Sequence, residues 1–303
     1  MADNLTQRGD GPGLIDRLKA WLPARLQGSP VVPVVRLSGV IGAVTPLRPG
    51  LTLAGVAKML ERAFSMRNAK AVALVINSPG GSPVQSRQIY LRIRQLAVEK
   101  ELPVLVFVED VAASGGYMIA CAGDEIFCDP SSILGSIGVV GGSFGLQELI
   151  KKVGIERRLY TAGDHKAMLD PFLPEDPDDV ERLKKIQREI HALFISLVKH
   201  SRGARLKGSD DVLFSGEYWA GDSAIGLGLA DAIGDLRATL RVRFGDKVAT
   251  PVVAPGGGML SGLLGRRAAG AGMMTASLGG WAGLAEELIS AVETRAIWAR
   301  FGF

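Results

Sequence analysis

Residues 103–108 read Pro103-Val104-Leu105-Val106-Phe107-Val108, and residues 112–117 read Ala112-Ala113-Ser114-Gly115-Gly116-Tyr117. The first stretch is apolar and rich in β-branched residues, which predicts a strand buried on both faces. The second puts a hydroxyl group between small residues where this strand would give way to a helix, whose first free N–H groups would lie beside Ser114. A serine nucleophile is usually built at such a turn. A plain helix N-cap followed by glycines would give the same pattern.

The segments on either side of this turn alternate between strand-like and helix-like patterns. The predicted strands cover residues 31–40, 71–76, 103–108, 125–128, 136–140 and 157–161, and the predicted helices cover residues 51–65, 83–99 and 178–200. The β-α-β-α order of the first half predicts an α/β fold with a mainly parallel sheet and right-handed crossovers.

The composition fits a folded protein that does not bind nucleic acid. Of the 303 residues, 47% are hydrophobic, which is enough for a sizeable core. The net charge of +4 is spread over mixed acidic and basic runs, so we expect no nucleic-acid partner. The two cysteines, Cys121 and Cys128, lack metal-ligand spacing, and we expect them to be buried reduced thiols. We predict neither a cofactor nor a metal.

The two ends of the chain differ from its centre. We predict a polar and amphipathic N-terminal extension at 1–30, one α/β domain at 31–245, and a glycine-rich linker with an amphipathic helix at 246–303. Residues 1–13 lack the pattern of a secretory signal, and no apolar run reaches the ~18 residues of a membrane-spanning helix. We therefore expect a cytoplasmic protein. The N-terminal amphipathic stretch would suit the inner face of the membrane or the protein's own surface. The C-terminal helix would pack on a neighbouring copy of the chain, attach to a membrane surface or occupy the groove beside Ser114.

A second glycine-containing turn follows the strand at 71–76. It reads Asn77-Ser78-Pro79-Gly80-Gly81. In a parallel sheet this turn and the turn at Ser114 lie at the same carboxyl edge, where ligand sites of open α/β sheets form. Paired glycines there can turn backbone N–H groups outward as an oxyanion hole. An ordinary turn before a helix would have the same composition.

A serine nucleophile needs a base, and the histidines are poor candidates for it. His191 and His200 fall in the long charged helix, where solvated or interface positions are expected. His165 is a poor candidate for a Ser-His-Asp triad, because adjacent residues in an extended segment point in opposite directions. Lysine is the alternative base of serine-lysine dyads. A lysine ordinarily has a pKa near 10.4, so a lysine base must be buried to be neutral. Lys166 precedes an apolar stretch, although most lysines are simply exposed.

Four separated motifs together resemble one family. They are Asn77-Ser78-Pro79-Gly80-Gly81, Ala113-Ser114-Gly115-Gly116-Tyr117, Gly135-Ser136-Ile137-Gly138-Val139 and Ala162-Gly163-Asp164-His165-Lys166. In this order and spacing the chain resembles the signal peptide peptidase A family, the serine-lysine peptidases of family S49, in its single-copy form. The resemblance covers about residues 31–240, and it implies a β-α-β spiral core of the Clp protease and crotonase kind that assembles into rings.

The resemblance also implies a role for each matching residue. Ser114 would be the nucleophile, Lys166 the general base and Ser136 a serine that orients the lysine amine. Gly80 and Gly81, with the Gly115 N–H, would form the oxyanion hole. In single-copy relatives a neighbouring subunit supplies the lysine, so active sites shared between subunits of a homo-oligomer are expected.

These roles predict a serine endopeptidase that hydrolyses short apolar peptides such as signal-peptide or membrane-derived fragments. Two other functions stay open at this point. One is a crotonase-like enzyme that acts on an acyl thioester, since such enzymes share the backbone oxyanion hole. The other is a catalytically silent ring scaffold.

Overall fold

The computed structural model describes residues 28–42, 50–254, 295–296 and 298–302 of the chain. Its strands are β1 (Val34–Ser38), β2 (Val72–Ser78), β3 (Val104–Ala113), β4 (Glu125–Cys128), β5 (Ile133–Gly135), β6 (Tyr218–Ala220) and β7 (Ala232–Ile233). Its α-helices are α1 (Leu53–Phe64), α2 (Pro83–Lys100), α3 (Gly115–Ala120), α4 (Gln147–Lys152), α5 (Pro177–Arg202), α6 (Asp210–Leu213), α7 (Gly221–Gly226) and α8 (Leu236–Phe244).

The strands form one mainly parallel sheet, as the sequence predicts. Strands β1, β2, β3, β4 and β7 lie side by side in that order, and every pair of neighbours is parallel. The ten-residue strand β3 is long enough to pair twice: its first half pairs with β4, and its last three residues pair with β5. Strand β6 is the antiparallel exception and pairs with β5.

Helices cover both faces of this sheet. Helices α1, α2 and α3 pack on one face over the larger apolar cluster, which includes Leu74, Ile93 and Tyr117. Helix α8 packs on the other face over a smaller cluster around Phe107 and Leu240. The central strands β2 and β3 are therefore buried on both sides, which explains their nearly continuous apolar sequence.

The helix starts follow local capping chemistry. Thr52 caps α1 by accepting a hydrogen bond from the Gly55 N–H, and Ser82 caps α2 by accepting one from Gln85, with Pro83 in the first turn. Asp176 caps the long helix α5 in the same way. These caps place the starts of α1, α2 and α5 within two residues of their predicted positions.

Two predicted strands are wrong. Residues 136–140 and 157–161 form no strand in the structure. In the first, the positive φ of 51° at Ser136 interrupts the extended backbone. The second is exposed and has no strand beside it among the described residues. The predicted N-terminal amphipathic segment at 14–22 and most of the predicted C-terminal helix lie outside the described residues, although 295–296 and 298–299 are helical.

Candidate active site

Ser114 lies between β3 and α3 in a backbone conformation that is rare for a residue with a side chain. Its φ is 51° and its ψ is −121°. Two backbone hydrogen bonds hold this conformation, from the Ser114 N–H to Gly135 O at 2.8 Å and from the Met118 N–H to Ser114 O at 3.0 Å. The Ser114 side chain makes no capping hydrogen bond to α3. A plain N-cap therefore does not account for this serine.

The glycine loop after β2 lies directly against Ser114. A Cβ atom on Gly80 would stand 2.8 Å from Ser114 Cβ, and a Cβ atom on Gly81 would stand 2.0 Å from Ile41 O. Both glycines have a positive φ, 104° and 141°, which residues with a Cβ rarely adopt. Only glycine fits at either position, and the two turns predicted from sequence lie in contact.

Helix α3 packs equally closely against the end of β2 and against α2. A Cβ atom on Gly116 would stand 2.4 Å from Ser78 O at the end of β2, and one on Gly115 would stand 2.3 Å from the Ser86 hydroxyl of α2. The helix that follows Ser114 is thus fixed to the same strand that carries the glycine loop.

Of the three glycines predicted for the oxyanion hole, one has an occupied N–H group. The Gly80 N–H donates to Ser78 Oγ at 3.2 Å, and the Ser78 hydroxyl donates to Gly39 O at 2.7 Å. The N–H groups of Gly81 and Gly115 donate no hydrogen bond to any described residue, and both glycines line a small cavity at Ser114. Two free backbone donors beside a serine hydroxyl can bind an oxyanion.

A groove with a volume of about 610 Å³ runs past Ser114. Its wall includes Ser114, Gly81, Ser136, Gly138, Val139, Val140, His191, Arg300 and Phe301. Ser136 is held there by two backbone hydrogen bonds, from its own N–H to Glu217 O at 2.6 Å and from the Gly138 N–H to Ser136 O at 2.9 Å. The structure therefore brings Ser114, Ser136 and Gly81 to one groove.

His191, Arg300 and Phe301 also line this groove, and none of them was predicted as a site residue. His191 lines it, and its Nε2 lies 2.9 Å from Ile137 O, so this ring nitrogen is already paired with a backbone carbonyl. Arg300 and Phe301 come from near the end of the chain. Phe301 is buried, packs edge-on against Tyr218 at a ring distance of 5.1 Å, and contacts the end of β3.

Lys166 is not among the residues that line the groove in this chain. It is exposed, in a turn in which its N–H donates to Gly163 O at 3.2 Å. An ion pair of 2.8 Å ties Asp170, just after this turn, to Arg157, and a hydrogen bond of 3.3 Å from the Leu169 N–H to Asp179 ties the segment to the first turn of α5.

The region that carries Lys166 leaves large apolar side chains uncovered. Phe144 is 82% exposed and Tyr160 is 90% exposed, and Val140, Leu149, Val153 and Ile155 are exposed as well. Folded proteins rarely leave so many apolar side chains of one region in water unless a partner covers them. This region of residues 140–173 is called the arm below.

A buried ion pair supports the elements behind Ser114. At the end of α5, the Arg202 guanidinium donates to both carboxylate oxygens of Asp231 at 2.8 and 2.9 Å and to Gly228 O at 2.8 Å. Burial alone would raise the pKa of Asp231, but the hydrogen bonds from Arg202 and from the Ile126 N–H hold it below its ordinary value. The Tyr117 hydroxyl of α3 donates to Leu229 O at 2.9 Å, so α3 and α5 are both tied to residues 228–231.

A second large cavity, of about 770 Å³, lies beside α8 on the other face of the sheet. It has an apolar floor of Val75 and Phe107, with the exposed ion pair of Arg36 and Glu109 at its wall. None of the predicted site residues lines it. Chemistry at Ser114 therefore belongs to the first groove.

Across the described residues, no helix is both long enough and apolar enough to cross a membrane.

The chain is similar to several known proteins. Residues 97–244 match the model of Peptidase family S49. The chloroplastic serine protease SPPA of Arabidopsis thaliana is 31% identical over 231 residues, which are 74% of this chain and 34% of that protein. A protein of Brucella abortus named Na(+)/H(+) antiporter NhaA is 54% identical over 296 residues, which are 96% of this chain and 39% of that protein. A solved membrane-bound stomatin-specific protease covers 76% of this chain and 100% of its own, with a TM-score of 0.47 and 16% identity.

Over residues 97–244 this chain belongs to peptidase family S49, and the resemblance drawn from its motifs is confirmed. The chain spans about two fifths or less of the length of these two curated relatives. The antiporter name applies to a protein of which this chain matches 39%, so no transport activity is carried over from it.

Proposed function

We propose that this chain is a serine endopeptidase in which Ser114 attacks the peptide carbonyl and Lys166 is the general base. The observation that carries the proposal is the surroundings of Ser114: its hydroxyl is not used as a helix cap, and it lies beside the free N–H groups of Gly81 and Gly115. Membership of a peptidase family supports the same conclusion.

The proposed reaction has two halves. The Ser114 hydroxyl oxygen attacks the carbonyl carbon and gives its proton to the neutral Lys166 amine, while the N–H groups of Gly81 and Gly115 bind the oxyanion. The tetrahedral intermediate then breaks the C–N bond, and the leaving amine takes the proton from Lys166. A water molecule next attacks the acyl-serine, with Lys166 taking the proton of the water and returning one to Ser114. Ser136 accepts a hydrogen bond from the amine and orients it.

The proposal includes a second copy of the chain as the source of the lysine. Lys166 is exposed and does not line the groove of its own chain. It sits on the arm, whose uncovered apolar residues, such as Phe144 and Tyr160, suit contact with another subunit. Packing between two subunits would also bury the amine, and burial favours the neutral form that a base requires.

The groove favours an extended apolar peptide as the substrate. Val139, Val140 and Phe301 supply apolar wall, and about 610 Å³ is enough for several residues of a peptide. We propose short apolar peptides, such as signal-peptide or membrane-derived fragments, as the substrate class. We also propose a cytoplasmic location, either free or in peripheral contact with the inner face of the membrane. The buried free thiols of Cys121 and Cys128 fit this location. Cell fractionation tests that location.

Complementation between two inactive variants tests the shared site. Ser114→Ala and Lys166→Ala should each abolish hydrolysis of an unstructured apolar peptide, whereas Lys152→Ala, an exposed lysine on the same arm, should not. When the two inactive variants are unfolded together and refolded as an equal mixture, random assembly pairs an intact serine with an intact lysine in about a quarter of the sites. We expect up to about that fraction of wild-type activity.

Each other outcome contradicts a named part of the proposal. Full activity of Lys166→Ala would remove Lys166 as the base. If both variants are inactive alone and their mixture is inactive as well, the serine and the lysine of one site come from the same subunit. A phosphonate probe that fails to label Ser114 in the assembled wild type would instead support the scaffold or acyl-thioester alternatives.

A further inference from the structure

We infer that the enzyme cleaves after residues with a small side chain, alanine above all, and that Met118 and Phe194 set this limit. The inference rests on the proposed function, since it concerns the residue whose carbonyl Ser114 attacks. It comes from a second, much smaller cavity at Ser114, which we call the pit. The lining of the pit includes Ser114, Gly81 and Gly115, together with the apolar side chains of Met118, Ile190 and Phe194.

The position of the pit assigns it to the residue that precedes the cleaved bond. The carbonyl oxygen of that residue would lie between the N–H groups of Gly81 and Gly115, within reach of the Ser114 hydroxyl. Its side chain branches from the atom next to the carbonyl carbon, so it must enter space bordered by the same three residues. The pit meets this requirement, and apart from Ser114 every side chain that lines it is apolar. A charged side chain there would lose its hydration with no partner.

The volume of the pit limits the size of that side chain. The pit holds about 20 Å³, and a cavity needs roughly 10–15 Å³ on this measure to hold one water molecule. A methyl group, which is about the size of a water molecule, fits. A leucine or phenylalanine side chain does not fit unless the wall moves.

The wall is well supported. Met118 is 5% exposed on α3, and Phe194 is 2% exposed on α5, and both belong to the larger apolar cluster of the fold. Helix α3 is fixed to β2 by the close contact at Gly116, and α5 is anchored by the ion pair of Arg202. Met118 is the softer of the two residues, because its unbranched side chain has more rotatable bonds. It is therefore the residue to shorten.

A peptide series tests the inference. The peptides differ only in the residue before the cleaved bond, which is Ala, Val, Leu or Phe, and cleavage positions are read by mass spectrometry. For the wild type we expect kcat/KM to be at least about tenfold higher with Ala than with Leu. Met118→Ala should raise the Leu-to-Ala ratio of kcat/KM by about tenfold or more. Ile195→Ala, a half-buried isoleucine on α5 that does not line the pit, should leave the ratio unchanged.

The outcomes separate the inference from the proposed function. Hydrolysis that depends on Ser114 but is as fast after Leu or Phe as after Ala would overturn the inference and leave the peptidase proposal intact. No hydrolysis above the Ser114→Ala background, for any peptide of the series, would overturn the proposed function itself. If Met118→Ala does not fold, Ile190→Ala widens the same pit from a partly exposed position. An unchanged ratio in a folded variant would remove the pit as the determinant.

Discussion

Replacing Gly116 by alanine tests how closely the turn at Ser114 must pack against the end of β2. The added Cβ would stand 2.4 Å from Ser78 O, and ordinary contact begins at 3.4 Å, so α3 must move by about 1 Å. Because Ser114 lies two residues earlier, that movement shifts its hydroxyl relative to the Gly81 N–H. A displacement of about 1 Å between reacting groups costs about 100-fold in rate. We therefore expect kcat/KM to fall about 100-fold, mainly through kcat.

The assay is hydrolysis of a fluorogenic peptide at equal concentrations of assembled, folded protein. Gly226→Ala is the matched control, since it adds the same methyl group at a position with no neighbouring heavy atom within 4 Å. It should retain wild-type activity. Urea unfolding of both variants shows whether the change stays local. A folded Gly116→Ala variant with wild-type kcat/KM would refute the view that the packing of α3 on β2 positions the nucleophile.

Three further predictions concern stability and reactivity. Asp231→Ala should lower the free energy of unfolding by about 3–5 kcal/mol in urea titrations, because it leaves the buried Arg202 guanidinium without its carboxylate; a loss below about 1 kcal/mol would contradict this. Since the pKa of Asp231 is lowered in the folded state, its stabilisation is present above the unfolded pKa of about 3.9 and is lost as the pH falls through the folded pKa. The stability difference between the wild type and Asp231→Asn should therefore shrink below about pH 4. Burial raises the pKa of Cys121 to about 12 and that of Cys128 to about 11, so a thiol reagent at pH 8 should label both only after unfolding.

The central strands and the turn at Ser114 could be predicted because their signals are local. Strands β2 and β3 are buried on both faces, so nearly every residue in them is apolar and the pattern is visible without knowledge of the partner strand. The helix caps Thr52, Ser82 and Asp176 are equally local. The order of these elements was sufficient to predict a mainly parallel sheet.

The errors arose where pairing joins distant parts of the chain. Strand β5 has only three residues and exists because the end of β3 and strand β6 pair with it on either side. The prediction placed a strand just after it, at 136–140, since Ile137, Val139 and Val140 have high β propensity. That propensity did not reveal the positive φ of Ser136 or the hydrogen bond from its N–H to Glu217 O, which joins residues far apart in sequence.

His191 was not predicted to face the groove because the many charged residues of α5 obscure the spacing of the buried residues of that helix. Phe194, Val198 and Arg202 recur at intervals of four and are buried. His191 lies three residues before Phe194, and therefore on the same face. That spacing was present in the sequence and could have placed His191 toward the groove. No comparable signal existed for Phe301, whose contact with Tyr218 joins residues far apart in sequence.

The close packing of the turns at Gly80, Gly81 and Ser114 also bears on how assembly would affect the enzyme. Ser114 and the Gly81 and Gly115 donors belong to one rigid part of a single chain, whereas Lys166 lies on the exposed arm. Under the proposed dyad, an isolated chain would still bind a tetrahedral anion such as a boronate but would turn over no substrate. Subunit association would then change kcat and leave boronate affinity nearly constant. Dilution that dissociates the subunits would therefore abolish turnover while boronate binding is retained.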